Sequence, residues 1–368
     1  MHLALWQVAN PSAILGTRAT CLELVQSMEM LMNYVLRAVA GATTASIIAV
    51  YPAIATAQEL FKGKTINIVV GYSAGGGYDQ YARTLARHFG SHLPGQPTIV
   101  VQNMPGAASL LAVRHLDANP AKDGTVMTSF DPGLITAHLS PEGVPKFDFR
   151  DYNWIGAMLR DVRLCYAWHA TGVRTWDDLM ARKEFLIGAT ARGSNAYVNG
   201  AILRRVMNAP VRQISGYPGS NEQRLAVERG ELEGNCASWS AIPPEWLKEN
   251  KAHPLLRFSR VKPADMPESV PYVGDLTSDP EKKQLLDLLN APTDLGRPFI
   301  VAKQVPEAAV NALRAAYEAT LKDQAFLADM AKQTLPIDSV PGQDAQEIVQ
   351  RIYAADPSLM KKMVEVLQ

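Results

Sequence analysis

A short β-branched strand that runs into a glycine-bearing loop and then into a helix occurs twice in this chain. That repeat limits the fold more than any other feature. In the first copy, Thr65 to Val70 reads as a buried strand. The loop Gly71-Tyr-Ser-Ala-Gly-Gly-Gly-Tyr-Asp79 follows. Tyr78, Tyr81, Ala82, Leu85 and Phe89 then fall at helical spacing, and Gly90 ends the helix. In the second copy, Phe185 to Ala189 is the strand, Thr190 to Asn195 the loop and Ala196 to Met207 the helix. Further strands are expected at 98–102, 125–130, 211–214, 232–238 and 297–302. Helices are expected at 107–116, 176–180 (with Thr175 as cap), 221–229, 306–321, 323–333 and 343–367. Strand and helix alternate, which predicts an α/β chain of parallel sheets with helices on both faces. The length of 368 residues suits two lobes. No low-complexity linker separates them, so the chain is expected to cross between lobes and return.

In such sheets, ligands sit at the carboxyl ends of strands, beside helix N-termini. The first-turn amides there lack intrahelical partners and carry partial positive charge, so an anion is the natural occupant. Gly75, Gly76 and Gly77 would let a ligand approach the backbone. Asp79 has two readings: it satisfies an amide at the helix start, or it orders water or accepts a donor from the ligand. The dinucleotide pattern G-x-G-x-x-G is absent. The phosphate loop's Lys-Ser/Thr pair is missing too, since Asp79-Gln80 follows the glycines.

A formal net charge of zero gives no basic face for nucleic acid. Cys21, Cys165 and Cys236 show no metal-ligand spacing, so neither a metal nor a cofactor is expected. Cys165 and Cys236 read as packed apolar side chains, with a disulfide between them left open. His88 and His92 stand four apart but lack the glutamate of a zinc-hydrolase helix, and they read as a solvated pair. Ser73 and Ser194 lack a nucleophile elbow. No set of side chains forms a catalytic constellation, which points to a protein that is not an enzyme.

The N-terminal part carries an export pattern. Arg37 precedes an apolar, small-residue run from Ala38 to about Ala53, and Ala55-Thr56-Ala57 forms an A-x-A site with cleavage expected before Gln58. The run is short for a membrane-spanning helix. Met28, Met30 or Met32 would make a more usual start than Met1. Residues 1–57 are therefore set apart from the fold.

The stretch Val70-Gly-Tyr-Ser-Ala-Gly-Gly-Gly-Tyr-Asp79 resembles the first ligand loop of the Bug-type substrate-binding proteins of tripartite tricarboxylate transporters. Val100-Val-Gln-Asn-Met-Pro-Gly-Ala107, Pro120-Ala-Lys-Asp-Gly124, Gly193-Ser194, Gly216-Tyr-Pro-Gly219 and Gly230-Glu-Leu-Glu-Gly234 continue the resemblance in order. It implies a two-lobed, type II periplasmic-binding-protein-like fold, each lobe a mixed or parallel sheet flanked by helices with the ligand cleft between the lobes, that closes like a flytrap. Lobe 1 would be 58–160 with 296–368, and lobe 2 would be 161–295. It also implies a periplasmic monomer that holds a small organic carboxylate through backbone amides and water and delivers it to membrane transporter subunits. Carried over by residue, it implicates Ser73, Ala74, Gly75, Gly76 and Asp79 in one lobe, and Gly193, Ser194 and Asn195 in the other. Tyr72, Met104, Asp131, Tyr217 and Trp239 are candidates for the cleft wall. The sequence departs from the family at Gly71, where many members carry proline, and at Ala107-Ala108, which replaces a more glycine-rich stretch. Arg192, at the mouth of the second loop, has two readings: a partner for a second carboxylate, or a solvated surface side chain. Two other functions remain open, ligand sensing for a signalling partner and a hydrolase or transferase with anion-cradling loops.

Overall fold

Strand-forming runs rich in Val, Ile and aromatic residues build two separate sheets in the computed structural model. It describes residues 60–137, 139 and 147–368. The expected export segment lies outside the described residues, as do Cys21 and His138. No described helix is long and apolar enough to cross a membrane.

The chain begins with β1 (Thr65–Val70), α1 (Gly77–Phe89), β2 (Thr98–Asn103), α2 (Leu110–Ala118), β3 (Val126–Ser129), α3 (Gly133–Ala137) and β4 (Asn153–Leu159). It continues with β5 (Arg163–Trp168), α4 (Trp176–Met180), β6 (Phe185–Ala189), α5 (Asn195–Ala201), β7 (Val211–Ser215), α6 (Ser220–Glu228), β8 (Gly234–Ser238), α7 (Pro244–Lys248) and β9 (Ala252–Arg257). It ends with α8 (Pro280–Asn290), β10 (Gly296–Val301), α9 (Glu307–Thr320), α10 (Gln324–Lys332), β11 (Val340–Pro341), α11 (Gly342–Tyr353) and α12 (Pro357–Leu367).

The strand orders are β11-β4-β10-β3-β1-β2 and β7-β6-β8-β5-β9. Both sheets share one plan. A parallel trio, β2-β1-β3 or β7-β6-β8, is followed by an antiparallel strand, β10 or β5, and then by β4 or β9. The sheets are therefore mixed, not purely parallel as strand–helix alternation suggested. The reversed strand is in each case the next strand after the chain leaves the other sheet: β5 follows β4, and β10 follows β9. These crossings tie the two lobes together at Leu159–Arg163 and again ahead of Gly296.

Local chemistry fixes the details. Thr175 caps α4 through a reciprocal box with Asp178, as its position before the helix predicts. Asp279, Asp323 and Asp356 cap α8, α10 and α12. The helix expected from 107 begins only at Leu110. Ala107, Ala108 and Ser109 all have positive φ, which breaks helical geometry there. The helix expected to run from Ala196 to Met207 starts one residue earlier and passes into a π-type turn at Ile202–Val206. In the core, Gly156 of β4 lets the Tyr317 ring of α9 lie against the strand: a Cβ there would meet the ring at 2.3 Å.

Cys165 and Cys236 face each other across the β5–β8 pair and are joined by a disulfide, both buried. The open alternative is the one adopted, and the pair also sits in the apolar interior.

Candidate functional site

The carboxyl ends of β1, β3, β6 and β8 meet at one cleft between the two sheets, where a doubly wound architecture places its ligands. Tyr72 stands just after β1, Asp131 after β3, Thr190 after β6 and Ser238 at the end of β8, and all four line the cleft. Gly76 and Gly77 at the start of α1 line it from one lobe, and Ala196 and Ser220 from the other. Its interior holds about 60 Å³, room for only a few waters. A wider hollow of about 570 Å³ opens beside it along the crossing near Asp161.

The lobes are latched by direct bonds. Asp131 Oδ1 accepts from the Gly133 and Asn195 amides at 2.9 and 3.0 Å, and its Oδ2 accepts from the Tyr72 hydroxyl at 2.6 Å. Asn195 opens α5, so the protein's own carboxylate occupies the anion-seeking end of that helix. Ser73 Oγ donates to Glu222 at 2.9 Å and the Ser73 amide donates to the Pro218 carbonyl at 3.4 Å, joining the first loop to the start of α6.

Two arginines stand in the cleft wall. Arg163 on β5 donates from Nε to Asn199 at 2.7 Å and from Nη2 to the Cys236 carbonyl at 3.2 Å. Arg297 on β10 donates from Nη1 to Asp161 at 2.8 Å, and the same Asp161 oxygen lies 3.4 Å from Arg163. Asp161 also accepts from the Ser238 hydroxyl. One buried carboxylate thus serves two buried guanidiniums, an arrangement that is costly to desolvate unless each charge finds partners.

Burial is the largest influence on Asp131, Asp161, Tyr72 and Tyr78. It pushes the Asp131 carboxyl up, and the Arg163 charge with three donated hydrogen bonds offsets this only in part. At Asp161 burial is outweighed by the Arg297 and Arg163 charges, which hold its carboxyl below the ordinary value. Burial first, and the Asp131 charge second, raise the Tyr72 and Tyr78 hydroxyls well above the usual tyrosine range, so both remain donors.

The candidates named from sequence separate into groups. Tyr72, Gly76 and Gly77 line the cleft. Ser73 bridges the lobes, while Ala74 and Gly75 are exposed. Asp79 is buried and accepts from the Gly75 amide, the Asn103 amide nitrogen and Arg83, which ties down the first loop. Gly193 carries the positive φ of 90° that the second loop requires. Ser194 caps α5, and Asn195 meets Asp131. Arg192 is exposed. Tyr217 packs in the satellite core of the second lobe. Met104 packs against the main core. Trp239 lines the neighbouring hollow and donates to Asp265 at 3.0 Å. His88 and His92 are partly exposed, and each pairs with an aspartate, Asp329 and Asp323, at 3.0 Å. Among the described residues no cluster of His, Cys, Asp or Glu is placed to hold a metal.

Arg163, Arg297 and Asp161 were missed from sequence. The available signal was an arginine inside or beside an otherwise apolar strand, a residue seldom buried without a partner.

No family model matches the chain. A protein of Cupriavidus necator described as a UPF0065 protein in the gbd 5' region is 39% identical over 93 residues, 25% of this chain and 27% of that protein. The match thus spans about a quarter of the curated relative. Among solved structures, the periplasmic binding protein BugD superposes with a TM-score of 0.67 at 17% identity, covering 83% of this chain and 98% of BugD. MatC of Rhodopseudomonas palustris, solved with bound malate, gives 0.63 at 17% identity over 83% of this chain and 99% of MatC. A second R. palustris protein, solved with adipate, gives 0.64 at 16% identity over 82% and 97%. These likenesses establish the fold: the chain is built on the two-lobed, type II α/β plan of periplasmic binding proteins such as BugD.

Proposed function

We propose that this chain is a Bug-type solute-binding protein that captures a small organic carboxylate between its lobes and hands it to a tripartite tricarboxylate-type membrane transporter. The observation that carries this reading is the single cleft on which the starts of α1 and α5 converge from two lobes, with two buried arginines in its wall. Lobe 1 comprises 58–160 and 296–368, and lobe 2 comprises 161–295. Closure is a population shift driven by ligand contacts to both lobes. The malate bound to MatC and the adipate bound to the second R. palustris protein support a carboxylate as the solute class. The Cys165–Cys236 disulfide supports an oxidising compartment, the periplasm. The protein acts as a monomer and binds without turnover.

The test is mass spectrometry of solute released from freshly purified protein, followed by thermal melts against a carboxylate panel. A bound ligand raises the melting temperature by mass action. Multiple turnover of any panel member, or stabilisation by none, rejects the reading.

A further inference from the structure

Arg297 is held as a carboxylate clamp would be. It is 2% exposed and sits at φ 54° inside the fully buried strand β10. Its Nη1 is committed to Asp161 at 2.8 Å. Its Nε is buried with no hydrogen-bond partner among the described residues, and its Nη2 donates to none of them. The Nε–H and Nη2–H bonds leave one edge of the guanidinium side by side, the spacing that matches the two oxygens of a carboxylate. That edge faces the first residue of α1: a Cβ on Gly77 would lie 3.1 Å from Nη2 and 3.6 Å from Nε. A side chain at Gly77 would therefore lie against that edge, and Arg297 itself lines the cleft. The Tyr78 hydroxyl, also buried and without a partner, belongs to the same wall, and its ring lies 4.9 Å from the Arg297 Cζ.

We propose that the Nε–Nη2 edge of Arg297 clamps one carboxylate of the ligand in a bidentate pair, with the Tyr78 hydroxyl as a further donor, and that Gly77 determines specificity by keeping that edge accessible. This rests on the carboxylate-binding reading and deepens it. The second loop's amide at Asn195 is already taken by Asp131, whereas the Arg297 edge is a vacant, charged donor in the cleft wall. A planar, singly charged head suits it better than a doubly charged tetrahedral one, because Asp161 and Asp131 stand close by.

The test is calorimetric titration of the full chain with malate, adipate, citrate, glutamate and benzoate, with inorganic phosphate as a separate arm. Wild type is compared with Arg297→Lys, which keeps the charge but loses the fork, and with Gly77→Ala, which places a methyl against the fork and leaves both Arg297 and Asp161 in the sequence. Both variants are expected to bind the preferred carboxylate about 10- to 100-fold more weakly. Gly77→Ala should keep the ligand-free melting temperature, which guards against a folding defect in the arginine variant. Equal carboxylate affinity in wild type and Gly77→Ala places the clamp elsewhere and leaves the carboxylate reading standing. A wild type that binds phosphate and none of the carboxylates, or binds nothing in the panel, overturns the reading and the clamp together.

Discussion

Removing the Cys165–Cys236 bond should lower stability by an amount set by the chain it closes. The two residues are 71 apart in sequence. Tying the ends of such a loop removes roughly 15 cal/mol/K from the unfolded chain, about 4.4 kcal/mol at 25 °C. Spread over the unfolding entropy of the roughly 300 folded residues, that is a fall in melting temperature of about 7 °C. The bond also lies beside the cleft, since the Cys236 carbonyl accepts from Arg163. Loosening β5 against β8 should therefore weaken ligand binding as well as stability. The assay is urea unfolding of the oxidised protein, of the protein refolded in dithiothreitol, and of the Cys165→Ala/Cys236→Ala double variant. Reductant and double substitution should shift the midpoint alike, and reductant should do nothing further to the double variant. A midpoint that stays put under reductant would mean the loop is already restrained in the unfolded chain, and the entropy argument would be wrong.

Two further perturbations read the same region. Asp131→Ala strips the acceptor from the Asn195 amide and the Tyr72 hydroxyl and should cost the closed form about 1–3 kcal/mol; small-angle scattering of the ligand-free variant should show a larger radius of gyration, and a profile identical to wild type would remove Asp131 as the latch. Asp79 and Asp161 are both held below the ordinary carboxyl value of 3.8, so they bind protons more weakly folded than unfolded. Their stabilisation is present above that value and is lost as the pH falls through their folded pKa values. The raised carboxyl of Asp131 has the opposite sign: its contribution is present below 3.8 and is lost as the pH rises through its folded pKa. Below about pH 4 the Asp131 contribution is already fully present, so the lowered carboxyls set the trend: urea midpoints should fall on acidification, and Asp131→Asn should leave that fall largely unchanged. A wild-type midpoint indifferent to pH across that range would contradict the buried pairing of Asp161.

What the sequence made legible follows how far each signal reaches along the chain. The loops 73–79 and 192–195 announce themselves by glycine and by the helix start that follows, and both stand where the sequence places them. β1, β2, β6 and β7 carry β-branched runs with turn residues at their ends, so they too could be read. β4, β5 and β9 went unread because NWIGAML, RLCYAW and AHPLLR show no clean alternation, and a short apolar run fits a buried helix as well as a strand. Those strands carry the crossings between lobes, and the crossings carry the chemistry. Arg297 meets Asp161 across 136 residues, and Asp131 meets Asn195 across 64, so neither pairing leaves a local pattern. Arg192 drew attention by lying next to a glycine, yet it is exposed. The arginine proposed as the clamp lies in GRPFIV, a run recognisable as a strand and buried along its whole length. A guanidinium in such a run must find hydrogen-bond acceptors in the interior. Asp161 supplies one and leaves the Arg297 Nε unpaired in the interior. An arginine that interrupts an apolar strand is therefore a sign of a buried ion pair, which an arginine beside a loop is not.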